Sequence, residues 1–272
     1  MLLGVKTARG GIRSREKLRI VSLAPSATAI LCAVGARATL VGVTKWCEDV
    51  APVDGLPRVG DCWHLGSVEE VLRLRPDLVI GSVPFKAERV ARLLEQPMNF
   101  LAMNPRTLKD VERDVLLLAR IVGRAAAGER VAARMRRDFA MIAAKTERAM
   151  RRKKSPTRVR VYCEAWPNPR TSSPPWVAEL VELCGGEMVV PAGARVSDAE
   201  VAAAAPEVMV LAWTAIGDKS KTKQAYGVTA WKSVPAIREG RVYAVRDEWL
   251  NTPGPPLVAG ARVLWNVLHG KK

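Results

Sequence analysis

The stretch TLKDVERDVLLLARIVGRAAAGERVAARMRRDFAMIAAKTERAM, residues 107–150, decides how the rest of the chain is read. It holds no proline, and its only glycines are Gly123 and Gly128. Val111, Val115, Leu118 and Val122 recur at helical spacing, and Val131, Met135, Phe139 and Ile142 continue the apolar stripe. The pattern predicts one long helix, eased near the two glycines. Unbroken, it would span roughly 65 Å at 1.5 Å per residue. Arg151-Arg-Lys-Lys154 followed by Ser155-Pro156 marks its end. A connector of this length in the middle of 272 residues suits two lobes of about 100 residues each. The implied organisation is a basic tail at 1–18, a lobe at 19–106, the connecting helix at 107–152 and a second lobe at 153–272.

On each side of that helix, strands alternate with helices, which argues for parallel α/β sheets. In the first lobe 19–23, 40–43, 77–80 and 98–103 read as strands. The segment Pro25 to Thr28 opens a helix with a hydroxyl placed to cap it, Gly35 closes that helix, and Ser67 caps a short helix from Val68 to Leu74. The second lobe restarts with a strand at 158–162 and a helix from Pro175 to Cys184, closed by Gly185-Gly186. A helix capped by Ser197, strands at 208–211 and 242–245, and a last helix from Pro256 to Leu268 follow.

The net charge of +16 is localised. Residues 1–19 carry +5 and residues 106–160 carry +11, so the remainder is balanced. No helix-turn-helix spacing, zinc finger or RNP-like strand accompanies the basic segments. A solvated basic helix face therefore accounts for them better than a nucleic-acid-reading surface, and contact with anionic lipid headgroups stays open. No apolar run approaches the roughly 20 residues of a membrane helix. The first 19 residues, MLLGVKTARGGIRSREKLR, lack the apolar core of a secretory signal, which leaves a cytoplasmic location open. The five cysteines, Cys32, Cys47, Cys62, Cys163 and Cys184, form no CxxC and suggest neither a disulfide framework nor structural zinc. There is no GxSxG, P-loop, HExxH or GxGxxG, and Cys47 has no evident histidine base, so binding is favoured over catalysis.

Eight tryptophans stand against three phenylalanines and three tyrosines. Trp46, Trp63, Trp166, Trp213 and Trp249 all fall in loops after expected strands, where clefts form in α/β sheets. Any one of them could equally fill core; five at such positions suggest the walls of a site for a broad, flat ligand. His64, next to Trp63, could reach a ligand metal or be an ordinary surface histidine. Arg170 and Arg195 lie in plausible cleft loops and keep an anionic ligand such as a ferric siderophore open.

RIVSLAPSATAIL (19–31), VGVTKWCEDVAP (41–52), LPRVGDCW (56–63), SVEEVLRLRPDLVIGS (67–82), YCEAWPNP (162–169), PPWVAELVELCGGEMV (174–189), VSDAEVAAAAPEVMVLAW (196–213) and WKSVPAIREGRVYAV (231–245) resemble, in order and spacing, the helical-backbone class of substrate-binding proteins, in its cobalamin-binding branch. The resemblance implies the class III periplasmic binding protein fold, an α/β architecture of two Rossmann-like lobes with parallel sheets joined by one long backbone helix. It also implies a monomer of the cell envelope with no intrinsic cofactor. Such a protein carries cobalamin, or alternatively a ferric siderophore or haem, to the permease subunits of an ABC transporter. Trp46 and Trp63 then match aromatic contacts to the corrinoid, Trp166 lies near another, and Ser26 matches a backbone contact. Glu69 matches a carboxylate that docks on the permease; Glu200, offset by about one residue, is its counterpart in the second lobe. Apart from the family, both read as ordinary first-turn helix carboxylates. The chain departs from the family at Ala29, commonly Glu, at Pro256, often Arg, and in lacking a tryptophan in PAGARVS (191–197).

Overall fold

The computed structural model describes residues 18–62, 67–152, 157–213 and 221–270. The first lobe comprises β1 (Ile20–Ser22), α1 (Pro25–Ala33), β2 (Leu40–Val43), α2 (Val68–Arg73), β3 (Leu78–Ser82), α3 (Ala87–Leu94) and β4 (Phe100–Met103). Its four strands are all parallel, in the order β2-β1-β3-β4. They are short and apolar on both faces, as a sheet covered by helices on each side requires.

The stretch 107–150 is not one helix. It forms α4 (Leu108–Ile121) and α5 (Ala125–Arg151), an antiparallel hairpin in which Arg136 pairs with Glu112 and Arg120 with Glu129. The break has a backbone cause. Gly123 adopts φ +67°, the left-handed conformation that terminates a helix, and Gly128 lies so close to Ala119 that a Cβ there would collide with it. The backbone helix is α5 alone, 27 residues or about 40 Å long. The start of α4 is fixed by a capping box between Thr107 and Asp110, and by Glu179 of the second lobe, which accepts from the Leu108 N–H at 2.8 Å.

The second lobe comprises β5 (Val159–Pro167), β6 (Arg170–Ser172), α6 (Pro175–Leu183), β7 (Gly186–Met188), α7 (Asp198–Ala203), β8 (Val208–Leu211), α8 (Lys221–Gly227), α9 (Pro235–Arg238), β9 (Val242–Ala244), α10 (Glu248–Asn251) and α11 (Leu257–His269). Strand β5 pairs in parallel with β7 on one edge and β8 on the other, and β8 with β9. This repeats the first lobe, with β7-β5-β8-β9 standing for β2-β1-β3-β4. The addition is β6, which folds back antiparallel on the end of β5.

Two of the three expected hydroxyl caps are absent. Helix α1 starts at Pro25 after Ala24, with no side-chain cap, and Ser67 gives its hydroxyl to the Glu69 carboxylate instead of accepting from the backbone of α2. Ser197 does cap α7, in a box with Glu200.

One apolar core runs through both lobes, containing Ile30 of α1, Val115 of α4, Met135 of α5, Leu180 of α6 and Leu264 of α11. The outer face of each sheet carries its own smaller core. Lobes joined through a shared, continuous core resist large relative motion, in contrast to lobes meeting across a polar interface.

Candidate functional site

In each sheet the chain leaves the first strand in one direction and returns on the other side. β1 lies between β2 and β3, and β5 between β7 and β8. Such a switch point opens a crevice beyond the carboxyl ends of the strands.

Trp46 sits there, in a 3-10 turn (Lys45–Asp49) directly after β2. The turn is fastened from below. Thr44 Oγ1 accepts from the Trp46 N–H at 3.2 Å, and Thr28 of α1 donates to Cys47 Sγ at 3.1 Å. Trp46 is left half-buried, with Lys45 Nζ 4.3 Å from its ring centroid. Burial raises the Cys47 thiol above its ordinary range, so it is a protonated packing residue and no nucleophile. Ser26 lies in the first turn of α1, 2% exposed, its hydroxyl buried without a hydrogen-bond partner. Trp63 and His64 lie outside the described residues.

From the second lobe, Trp166 stands at the end of β5, 38% exposed, its indole N–H donated to the Asn168 carbonyl at 2.7 Å. Trp249 lies in α10, half-buried, with the Arg246 guanidinium 5.4 Å from its ring. Gly260 of α11 supports it. A Cβ at that position would strike the Trp249 carbonyl, so α11 and α10 meet at backbone contact.

Trp213 differs from these three, of which only Trp249 lines the interlobe cavity. Trp213 is 1% exposed and belongs to the outer core of the second lobe. Its indole N–H is needed by Glu164, a fully buried carboxylate on β5. Glu164 also accepts from Tyr162 at 2.5 Å and from Arg170 at 2.7 and 2.9 Å. Arg170 donates onward to Asp198 at 2.7 Å and lies 4.2 Å over the Trp231 ring. Burial raises the Glu164 carboxyl above the usual range, and its Tyr162, Arg170 and Trp213 partners pull it part of the way back. Arg170 is therefore committed to the core of its lobe, whereas Arg195 is exposed.

The two lobes face one another across a cavity of about 540 Å³ lined by Ala29, Arg37, Asp49, Glu248, Trp249 and Pro256 among others. Burial raises the Asp49 carboxyl, and Glu248 and Glu48 raise it further, against the pull of Arg246. Two carboxylates thus confront each other between the lobes beside Trp249. Residue type alone did not single out Asp49, Glu248 or Arg246. All three follow a strand end: Asp49 closes the 3-10 turn after β2, Arg246 lies between β9 and α10, and Glu248 starts α10.

Residues 20–248 match the family model described as periplasmic binding protein. The chain belongs to the periplasmic binding protein family. Among its relatives, the vitamin B12-binding protein of Vibrio parahaemolyticus is 26% identical over 87% of this chain and 84% of its own. An ABC transporter substrate-binding lipoprotein of Bacillus subtilis is 24% identical over 92% of this chain and 79% of its own. In fold, the periplasmic vitamin B12-binding protein of Vibrio cholerae superposes with a TM-score of 0.73 over 92% of this chain and 96% of its own, at 23% identity. A periplasmic heme-binding protein from Pseudomonas aeruginosa reaches 0.81 over 93% and 94%, at 20% identity.

Periplasmic binding proteins are non-catalytic binding components of transport systems, and the two-lobed sheet topology seen here is theirs. Against that fold, two sequence departures become one. Ala29 and Pro256, two of the departures named from the resemblance, line the same interlobe cavity. Glu69 and Glu200 stand in corresponding helices of the two lobes, offset by one residue: Glu69 is the second residue of α2 and Glu200 the third of α7. They occupy the first turns of α2 and α7, the helices that precede the equivalent strands β3 and β8. Both are exposed, and both carboxyls lie below their ordinary range. The Ser67 hydroxyl is the chief cause at Glu69, and the Ser197 backbone N–H at Glu200.

Proposed function

We propose that this chain is the corrinoid-binding component of an ABC-type uptake system in the cell envelope, taking its ligand between the two lobes. The observation that carries the reading is the set of half-exposed indoles at strand ends in both lobes, Trp46 from one and Trp166 and Trp249 from the other. A corrinoid is a broad disc with apolar faces and amide edges, and flat aromatic walls suit it.

Haem and ferric siderophores are the rival ligands. Haem iron needs an axial ligand from the protein. Of the described candidates, His269 sits at the end of α11, 2.8 Å from the Cys184 carbonyl, and Tyr162 is buried against Glu164, which leaves Tyr226 on α8 and Tyr243 on β9. A corrinoid brings its own axial ligands. An anionic siderophore needs cationic partners; Arg170 is bound to Glu164 and Asp198 and Arg246 to Glu248, whereas Arg37 lines the interlobe cavity and Arg195 is exposed. Titration calorimetry with cyanocobalamin, run beside hemin and a ferric siderophore, is the test. Heat is expected with cyanocobalamin; a silent titration beside clear binding of either rival would overturn the ligand assignment.

Glu69 and Glu200 then serve as paired contacts to the permease, one per lobe, held ionised by their serines. The double variant Glu69→Gln/Glu200→Gln is expected to bind ligand as before and to fail to stimulate the ATPase of its reconstituted transporter. Full stimulation by the double variant would remove both residues from docking.

A further inference from the structure

The exposed side of α5 is a basic ridge. Gly128, Ala132, Met135, Ile142 and Thr146 form its buried face. At 100° per residue, the opposite face carries Arg130, Arg134, Arg137, Met141, Arg148 and Arg152 within about 40° of one line. All six are exposed, Met141 at 59%. Among the described residues, Arg130, Arg134, Arg137 and Arg152 make no ion pair. Ala133, Ala144 and Lys145 flank them on this face, Lys145 with its Nζ 3.3 Å from the Trp265 ring centroid. From Arg130 to Arg152 the ridge is about 33 Å long. No acidic side chain lies on it. The nearest acids, Glu129 and Glu147 on one flank and Asp138 on the other, sit roughly 80–100° away.

We infer that this ridge is a docking surface for an anionic lipid bilayer, an interaction separate from ligand binding and independent of which ligand the cleft takes. Charge complementarity and shape both support it. A straight ridge touches a flat anionic surface with its arginines while its acidic flanks stay back. In a DNA groove those flanks would face the two walls of phosphates and be repelled. Met141, at the centre of the ridge, is a flexible apolar side chain able to enter the headgroup region as the arginines hold the phosphates. The tail at 1–18 adds positive charge to the same chain. Each arginine near such a surface strengthens binding by roughly sixfold.

The test is co-sedimentation of the full chain with vesicles of phosphatidylcholine alone and of phosphatidylcholine mixed with phosphatidylglycerol. Binding is expected only to the mixed vesicles. It should fall roughly two-hundredfold in the variant Arg134→Gln/Arg137→Gln/Arg148→Gln, and by a smaller factor in Met141→Ser. These side chains are exposed, so thermal melting and ligand titration of the variants should match the parent. Equal binding to both vesicle types, or undiminished binding of the triple variant, would overturn the proposal. So would tight, ridge-dependent binding of a DNA duplex at a salt concentration where the mixed vesicles are not bound.

Discussion

Replacing Arg170 with alanine is expected to lower the unfolding free energy by about 3–5 kcal/mol at neutral pH. The reason is the carboxylate left behind. Glu164 has no exposed surface, and Arg170 supplies two of its four hydrogen bonds and its neutralising charge. The loss should depend on pH with a definite sign. Burial already raises the folded-state carboxyl of Glu164, so the native protein holds its proton at pH values where the unfolded chain has released it. That contribution to stability is present below the ordinary carboxylate range and is lost as pH rises through the raised value. Removing Arg170 raises the folded value further. The deficit of the variant should therefore be largest at neutral pH and above, and shrink on acidification as Glu164 takes up a proton. Urea melts of parent, Arg170→Ala, Glu164→Gln and the double variant, at several pH values, form the cycle that measures it. Glu164→Gln should recover much of the stability lost in Arg170→Ala when the two are combined. A deficit that does not change with pH would mean that lost packing over Trp231, and not an unpaired charge, is the cause.

That network also shows where sequence ceases to be a guide. The strands and most helices were legible from apolar runs and punctuation, because a strand of VMVL or LVIGS has few other ways to hide its side chains. The break in the long helix was not. Gly123 and Gly128 are tolerated within helices, and only the packing of Gly128 on Ala119 and the left-handed Gly123 make a hairpin of them. Loop position named Trp46, Trp166, Trp213 and Trp249 together but could not separate wall from core, since an indole serves both. What withdraws Trp213 is a demand elsewhere: a carboxylate inside the apolar run VYCEAW must recruit donors from its own lobe. A charged residue in a buried strand is a signal that polar neighbours are already spoken for, and it was present in the sequence. The hydroxyl-capping expectations failed at α1 and α2. Ser26 lies inside α1, after Pro25, and so is past the cap position, while Ser67 precedes a carboxylate at the second helical residue and not the third, where Glu200 completes the box with Ser197.

The double variant Trp46→Ala/Trp249→Ala is expected to weaken cyanocobalamin binding by about 4 kcal/mol, roughly a thousandfold. Each half-buried indole that closes on a flat ligand hides on the order of another 80 Å² of apolar surface. At about 25 cal/mol/Å² this is worth about 2 kcal/mol. The two residues come from opposite lobes and have separate partners, so their losses should nearly add. Both are held ready in the same way. Lys45 lies over the ring of Trp46 and Arg246 over that of Trp249, which restrains each indole before a ligand arrives. Trp213→Phe is the contrasting change. It removes a donor from Glu164 and should cost stability while leaving affinity nearly intact, because that indole is sealed in the core. Calorimetry on the single and double variants decides the matter. If either cleft substitution alone leaves affinity unchanged, the ligand does not span the lobes at that residue. If Trp213→Phe alone weakens binding, the wall of the site lies deeper in the second lobe than its exposed indoles.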